Sequence, residues 1–270
     1  MTEEQTTLPP ASELPVDLAM RLDRNWALFL DLDGTLFHLA PTPQDVHPDD
    51  RLTRILAEVA RRFDGALAIV SGRPIAQIDA LMGGLVLPAA GLHGQERRDA
   101  HGRLHEYPVD VAALHAVRLT LQAFASTHSG VLLEDKGRAI ALHYRLRPEL
   151  HREVQQLVAA AVAPHGGLVL QPGKMVVEVK PRGVSKGGAI AQFLAEPPFV
   201  GRRPLFAGDD VTDEDAFALV RSLDGLSIRV GGTAPTLAHE RIDSVDSFRG
   251  WLAGLIDPGP SGRRWMSERP

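Results

Sequence analysis

The stretch ALFLDLDGTLFHL, residues 27–39, begins as an apolar run and ends on two aspartates one residue apart, Asp31 and Asp33, followed at once by Gly34 and Thr35. Residues 27–31 have the continuous apolar character of a strand buried on both faces. Two carboxylates at its end repel each other and cost desolvation unless something positive lies between them. The arrangement suits a carboxylate nucleophile that takes a phosphoryl group beside a magnesium ion held by oxygen ligands. On that reading Asp31, at the strand end, is the nucleophile. Asp33, two residues on, protonates the leaving oxygen and then activates water. Gly34 lets the backbone approach the phosphate closely. A DxD pair alone is read at least as easily as a helix cap or a turn acid.

The flanking chain alternates strands and helices. Residues 50–63 place Leu52, Ile55, Leu56, Val59 and Phe63 at helical spacing. Strands are predicted at 66–70 and 85–91, with a helix opened by Pro74 between them. The pattern resumes with a helix from Lys186, a strand at 204–210, a helix near 213–223, a strand at 226–230 and a last helix at 245–256. Continuous apolar strands joined by helices predict an α/β fold with a Rossmann-like parallel sheet. The polar residues that end these strands then share the edge where such sheets bind ligands.

Residues from about 104 to 181 differ. Two helical segments accompany two period-two hairpins, 131–146 and 168–180, turning near 136–138 and 172–174. This predicts a smaller α/β domain, an antiparallel sheet with two helices, inserted into the parallel-sheet core. The expected division is a mobile arm at 1–20, a core at 21–105 and 182–270, and a cap at 106–181. Ile140, Leu142, Tyr144 and Leu146 share one strand face, and Met175, Val177 and Val179 another. The opposite face presents His143, Arg145, Lys174, Glu178 and Lys180, which suits either plain solvation or a hydrogen-bonding surface for a polar ligand.

The bulk numbers agree with an enzyme of this kind. The chain has 270 residues, 44% hydrophobic and 23% charged, with net charge −5 and no cysteine. The negative balance speaks against a nucleic-acid partner, and the lack of cysteine excludes disulfides, thiolate zinc sites and a cysteine nucleophile. No apolar run approaches the ~18 residues that span a membrane. The polar, proline-rich N-terminus lacks the pattern of a signal peptide, so a cytoplasmic monomer is expected.

Three further segments carry chemistry. Ser71, in IVSGR, ends the second strand and suits a phosphate ligand as well as a helix cap. Lys186, in SKGGAI, puts a cation at a helix N-terminus, a mildly unfavourable place that calls for an anion. GDDVTDE puts Asp209 at a strand end and Asp213 four residues later, among carboxylates that are hard to pack without a cation.

DLDGT, IVSGR, SKGGAI and GDDVTDE, in that order, resemble the four motifs of the haloacid dehalogenase superfamily of phosphatases. The resemblance implies Asp31 as nucleophile, Asp33 as general acid and base, and Ser71 and Lys186 as phosphate ligands. It implies Mg²⁺ on Asp31, the Asp33 backbone carbonyl and Asp209, with Asp213 in support. Gly34, Thr35, Gly72 and Arg73, within or beside these motifs, are candidate substrate contacts, and His93 is read as structural. About 40 residues separate Asp31 from Ser71, too few for a cap, whereas 114 lie between Ser71 and Lys186. Members with a cap there commonly hydrolyse sugar phosphates. AGLHGQE, EDKGRAIALHYR, GKMVVEVKPRGVSKG and GDDVTDEDAF sharpen the match, over about residues 25–250, to the bacterial type of trehalose-6-phosphate phosphatase. That resemblance implies trehalose 6-phosphate as a small-molecule substrate, its sugar met by Lys136, His143, Lys174 and Glu178. A phosphatase for another sugar phosphate and a non-catalytic sensor on the same scaffold are the rival readings.

Overall fold

The first strand, β1 (Trp26–Leu30), is buried along its whole length and lies inside an eight-stranded sheet. A computed structural model describes residues 22–42 and 45–256. The expected N-terminal arm, residues 1–20, and the tail at 257–270 lie outside the described residues. On one side of β1 follow β10 (Arg203–Gly208), β11 (Leu226–Val230) and β12 (Glu240–Ile242). On the other follow β2 (Leu67–Val70), β3 (Ala89–Gly91), β4 (Glu96–Arg98) and β5 (Leu104–Glu106). The six strands from β12 to β3 are parallel, and β4 and β5 extend the sheet antiparallel.

Successive side chains of a strand point to opposite faces, and β1 serves two cores. Leu28 and Leu30 pack with α1 (Asp50–Arg62), α2 (Ile75–Leu81) and α7 (Val245–Ile256). Ala27 and Phe29 pack with α5 (Lys186–Leu194) and α6 (Glu214–Ser222). Helices on both faces explain why the parallel strands read as unbroken apolar runs. Asp49 starts α1 by accepting from the backbone N–H of Arg51 and Leu52, and Ser185 starts α5 by accepting from that of Gly188.

The segment between β5 and α5 forms a second sheet, ordered β6 (Leu132–Asp135), β7 (Ile140–His143), β9 (Val176–Pro181), β8 (Leu168–Gly173), all antiparallel. Helices α3 (Val111–Thr127) and α4 (His151–Val162) cover one face, where Ile140, Leu142, Tyr144, Val177 and Val179 are buried among Leu114, Val117, Val154 and Val158. The other face turns toward the carboxyl ends of the large sheet. The fold is thus an α/β core with an inserted, smaller α/β cap, as the sequence pattern predicts.

Several elements differ in detail. The strand expected at 85–91 is only Ala89–Gly91. Residues before it leave α2 in a turn, in which the Leu85 N–H donates to Met82 O, and Pro88 has no N–H to offer a ladder. β4, β5 and β12 have three residues each and are too charged to show an apolar alternation. β5 joins the large sheet up to Glu106, the residue where the cap was expected to begin. Met175 adopts a positive φ of 61°, so the second hairpin turns at 174–175 and Met175 leaves the apolar face, being 41% exposed. Leu146, beyond the end of β7, is also exposed.

Phe29 stacks on Phe199 with ring centroids 5.4 Å apart and lies 6.0 Å from Phe193. Truncation there leaves a cavity in the layer beneath α5. Phe29→Ala is expected to lower stability by about 3–5 kcal/mol, read from the midpoint of urea unfolding. A loss under about 1 kcal/mol would contradict the packing described.

Candidate active site

β1 and β10 are neighbours at the point where the strand order reverses, and parallel α/β sheets leave a crevice there. The Asp31 N–H donates to Ala207 O at 3.0 Å, so Asp31 and Asp209 leave the sheet side by side. Asp31 is 4% exposed and Asp209 partly buried. Lys186, the first residue of α5, reaches across to this edge. Its Nζ donates to Asp31 Oδ1 at 2.8 Å and to Asp213 Oδ1 at 2.6 Å. Burial pulls the Lys186 amine down, but the Asp213 and Asp31 carboxylates overcome it and hold the amine above its ordinary value. The other Asp213 oxygen accepts from the backbone N–H of Asp209 and Asp210, both at 2.9 Å. Asp213 is therefore occupied in fixing Lys186 and the loop that carries Asp209.

These residues fit a hard cation. Asp31, Asp209 and Asp213 each bring a carboxylate oxygen within 4.8 Å of the others, and the Lys186 ammonium is hydrogen-bonded to Asp31 and Asp213. Burial, opposed by Lys186 and aided by Asp213 and Asp209, raises Asp31 well above the usual carboxylate range. Burial and Asp213 push Asp209 up to about 7. Carboxylates displaced in this direction need more positive charge to stay ionised, and an all-oxygen donor set matches Mg²⁺ chemistry. Gly34 leaves the approach open: at its φ of +82°, an added Cβ would lie 2.1 Å from Asp209 Oδ2. Thr35 is fully buried, its hydroxyl 3.5 Å from Asp31 Oδ2.

Asp33 stands apart from the three-carboxylate group. Arg73 holds it in a two-pronged ion pair, Nε to Oδ2 at 2.7 Å and Nη2 to Oδ1 at 2.6 Å. Arg73, expected to contact the substrate, thus meets Asp33 in this structure. Ser71 N–H donates to Ala90 O at 2.9 Å, and Ser71 Oγ accepts from Arg73 N–H at 3.2 Å. The Ser71 hydroxyl hydrogen remains available to an acceptor, and Ser71, Gly72 and Arg73 all line the same cavity as Asp31, Lys186 and Asp209.

The cap supplies the cavity's other wall. Lys136, His143 and Glu178 line it. Glu178 Oε2 accepts from Lys136 Nζ at 3.0 Å and lies 3.2 Å from His93 Nε2. Lys136 Nζ also donates to Gly72 O at 2.9 Å. Burial alone would raise Glu178, but Lys136 and His93 hold it well below the usual carboxylate range. Lys174, placed on this face by alternation, is exposed and does not line the cavity. β9 starts only at Val176, so the alternation does not extend back through Met175. Lys180 is buried beyond the cavity's lining.

Among the residues that line the cavity, Glu134 escaped the sequence reading and His93 has a larger part than it was given. Glu134 bonds His143 Nε2 at 2.8 Å and pairs opposite Ala141 in the ladder, on the face of His143. Extending the alternation by one strand finds it. His93 was assigned only a structural part, yet it lines the cavity and meets Glu178; no periodic signal marks a turn residue of this kind.

A family model described as trehalose-phosphatase matches residues 29–244. A protein of Sinorhizobium fredii named a probable trehalose-phosphate phosphatase is 44% identical over 93% of this chain and 97% of its own length. The trehalose-6-phosphate phosphatase of Escherichia coli is 41% identical over 90% of this chain and 89% of its own length. Among solved structures, the C-terminal domain of the Candida albicans trehalose-6-phosphate phosphatase superposes with a TM-score of 0.82 at 22% identity, covering 93% of this chain and 99% of that one. That last likeness speaks for the fold, the sequence matches for descent. The phosphatase-type cluster at the sheet edge and these matches together place the chain in the trehalose-phosphatase family.

Proposed function

We propose that the protein hydrolyses trehalose 6-phosphate to trehalose and phosphate through a covalent aspartyl-phosphate. The observation that carries this is the meeting, in one cavity, of a carboxylate–ammonium cluster on the core with the polar face of the cap that holds Lys136, His143 and Glu178. Asp31 attacks phosphorus in line, forming its Oδ–P bond while the P–O bond to the sugar breaks. Lys186 offsets charge on the phosphoryl oxygens, and the Ser71 hydroxyl donates to one of them. Asp33 gives its proton to the departing sugar oxygen. In the second half Asp33 takes a proton from water as that water attacks phosphorus and releases Asp31. Its ion pair with Arg73 presents the acceptor-only carboxylate that the second half needs, so the first half requires that fork to open. Asp31 and Asp209, with the Asp33 backbone carbonyl and with Asp213 in support, would hold Mg²⁺. When bound, the ion supplies charge neutralisation for the phosphoryl group.

On the sugar side, Lys136, His143 and Glu178 are the proposed contacts; Lys174 is retained only as a distant positive charge, one that lowers Asp209. A buried carboxylate and ammonium that await hydroxyl partners discriminate strongly against a ligand lacking them. The cap closing over the disaccharide excludes bulk water, and the protein is proposed to act as a cytoplasmic monomer.

With Mg²⁺ present, kcat/KM for trehalose 6-phosphate should exceed that for glucose 6-phosphate by at least about 100-fold; equal values in a phosphate-release assay would sink the substrate assignment. Asp31→Asn should lower turnover by about 10⁴-fold or more without loss of the circular dichroism of the fold, and a variant that still turns over would refute the nucleophile. EDTA should suppress phosphate release and added Mg²⁺ restore it, whereas turnover indifferent to both would contradict the metal site.

A further inference from the structure

His93 lies at the junction of cap and core, and the mechanism above gives it nothing to do. Its ring is 8% exposed, as is the Glu178 side chain it meets. Both Leu92 and His93 adopt positive φ, 51° and 57°, a conformation that is uncommon for such residues and persists only where surroundings enforce it. Two backbone bonds that hold it come from one short loop. His93 N–H donates to Ser71 O at 2.9 Å, and Leu92 N–H donates to Arg73 O at 3.0 Å. Gly72, between them, has the imidazole against it: an added Cβ would stand 2.7 Å from Nε2 and 2.8 Å from Cε1. The backbone of 92–93 is thus bonded to both ends of the loop that carries the Ser71 hydroxyl and the arginine gripping Asp33.

The side chain points the other way along the same path. An ionised carboxylate only accepts, so Nε2 carries the hydrogen shared with Glu178 Oε2. Lys136 completes the junction by bonding both Glu178 Oε2 and Gly72 O. Two groups of the cap therefore end on the loop 71–73, one through His93 and one directly. Glu178 Oε1 and His93 Nδ1 are buried without a hydrogen-bond partner among the described residues. A buried polar atom left so is costly, and Glu178 lines the substrate cavity. With Oε2 tied to His93 and Lys136, Oε1 is the oxygen left for a ligand.

We propose that His93 is a positioning residue that fixes the Glu178 carboxylate for the sugar and ties that contact to the 71–73 loop, so that sugar recognition sets the geometry of the phosphate site. This rests on the reading of the protein as a trehalose 6-phosphate phosphatase. The readout is the ratio of kcat/KM for trehalose 6-phosphate to that for p-nitrophenyl phosphate, an ester with no sugar. His93→Asn is the first variant, because asparagine tolerates the left-handed backbone and is too short to reach Glu178. It should lower the ratio about 10- to 100-fold, the cost of a small misplacement, with a raised KM for the sugar ester. His93→Gln, which returns an N–H at the longer reach, should restore most of it. If His93→Asn is insoluble, His93→Gly removes the side chain without backbone strain and is measured instead. In combination with Glu178→Ala, the losses in kcat/KM should multiply to less than the product of the single losses, since the two residues act as a unit.

A ratio unchanged from the wild type, with both esters falling together or neither falling, would overturn the proposal and leave His93 a packing residue. The failure of the underlying reading has a different signature: the wild type itself would show no preference for trehalose 6-phosphate, and the coupling would then fall with it.

Discussion

One buried ammonium organises the catalytic edge of this protein. Lys186 Nζ bridges Asp31 and Asp213 at 2.8 and 2.6 Å, where burial drives the Asp31 carboxyl toward its neutral form. Breaking such a bridge leaves unpaired buried charge, so it is expensive to disturb. The bridge also sets positions. Asp213 is pinned by Lys186 on one oxygen and by two backbone N–H groups on the other, and this in turn fixes the loop on which Asp209 stands. The unfavourable place of Lys186 at a helix N-terminus is offset by the carboxylates before it. What remains is a surplus of negative charge, seen in the raised Asp31 and Asp209, which a divalent cation bound through oxygen would resolve.

Parallel topology made much of this site visible in the amino-acid sequence. In a parallel sheet the carboxyl ends of all strands lie on one edge, so Asp31, Ser71 and Asp209, each directly after a strand, have to converge once the strands are recognised. Lys186 follows because its helix starts at the same edge. The same logic worked in the cap, where alternation along β7 and β9 put His143 and Glu178 on one face. It failed at Lys174 because period two holds only inside a ladder, and Met175 breaks the ladder with a positive φ.

Other features have no local signature. The Arg73–Asp33 fork joins residues 40 apart and depends on how the loop after β2 curls back toward β1. β4, β5 and β12 are held by pairing with neighbouring strands, not by any apolar pattern of their own. His93 looks in sequence like any turn histidine; its meaning comes from a carboxylate 85 residues away. Tertiary bonds of this kind are where sequence periodicity stops carrying information.

The route of the chain joins the cap's polar face to the core edge a second way. β9 carries Glu178 and ends at Pro181; Ser185, four residues later, caps the helix that begins with Lys186. The strand that carries Glu178 therefore runs almost directly into the helix that begins with Lys186. Gly183, at a φ of 85°, makes the bend between them, and the Arg182 N–H holds it by donating to Gly167 O at 2.9 Å. A cap inserted at this point in the chain cannot move without pulling on the few residues before Lys186. At its far side it bonds Gly72 O through Lys136. Both connections end beside Asp31, one through the helix start and one through the loop 71–73, so the position of the cap's polar face and the arrangement of Asp31, Ser71 and Lys186 are mechanically one problem.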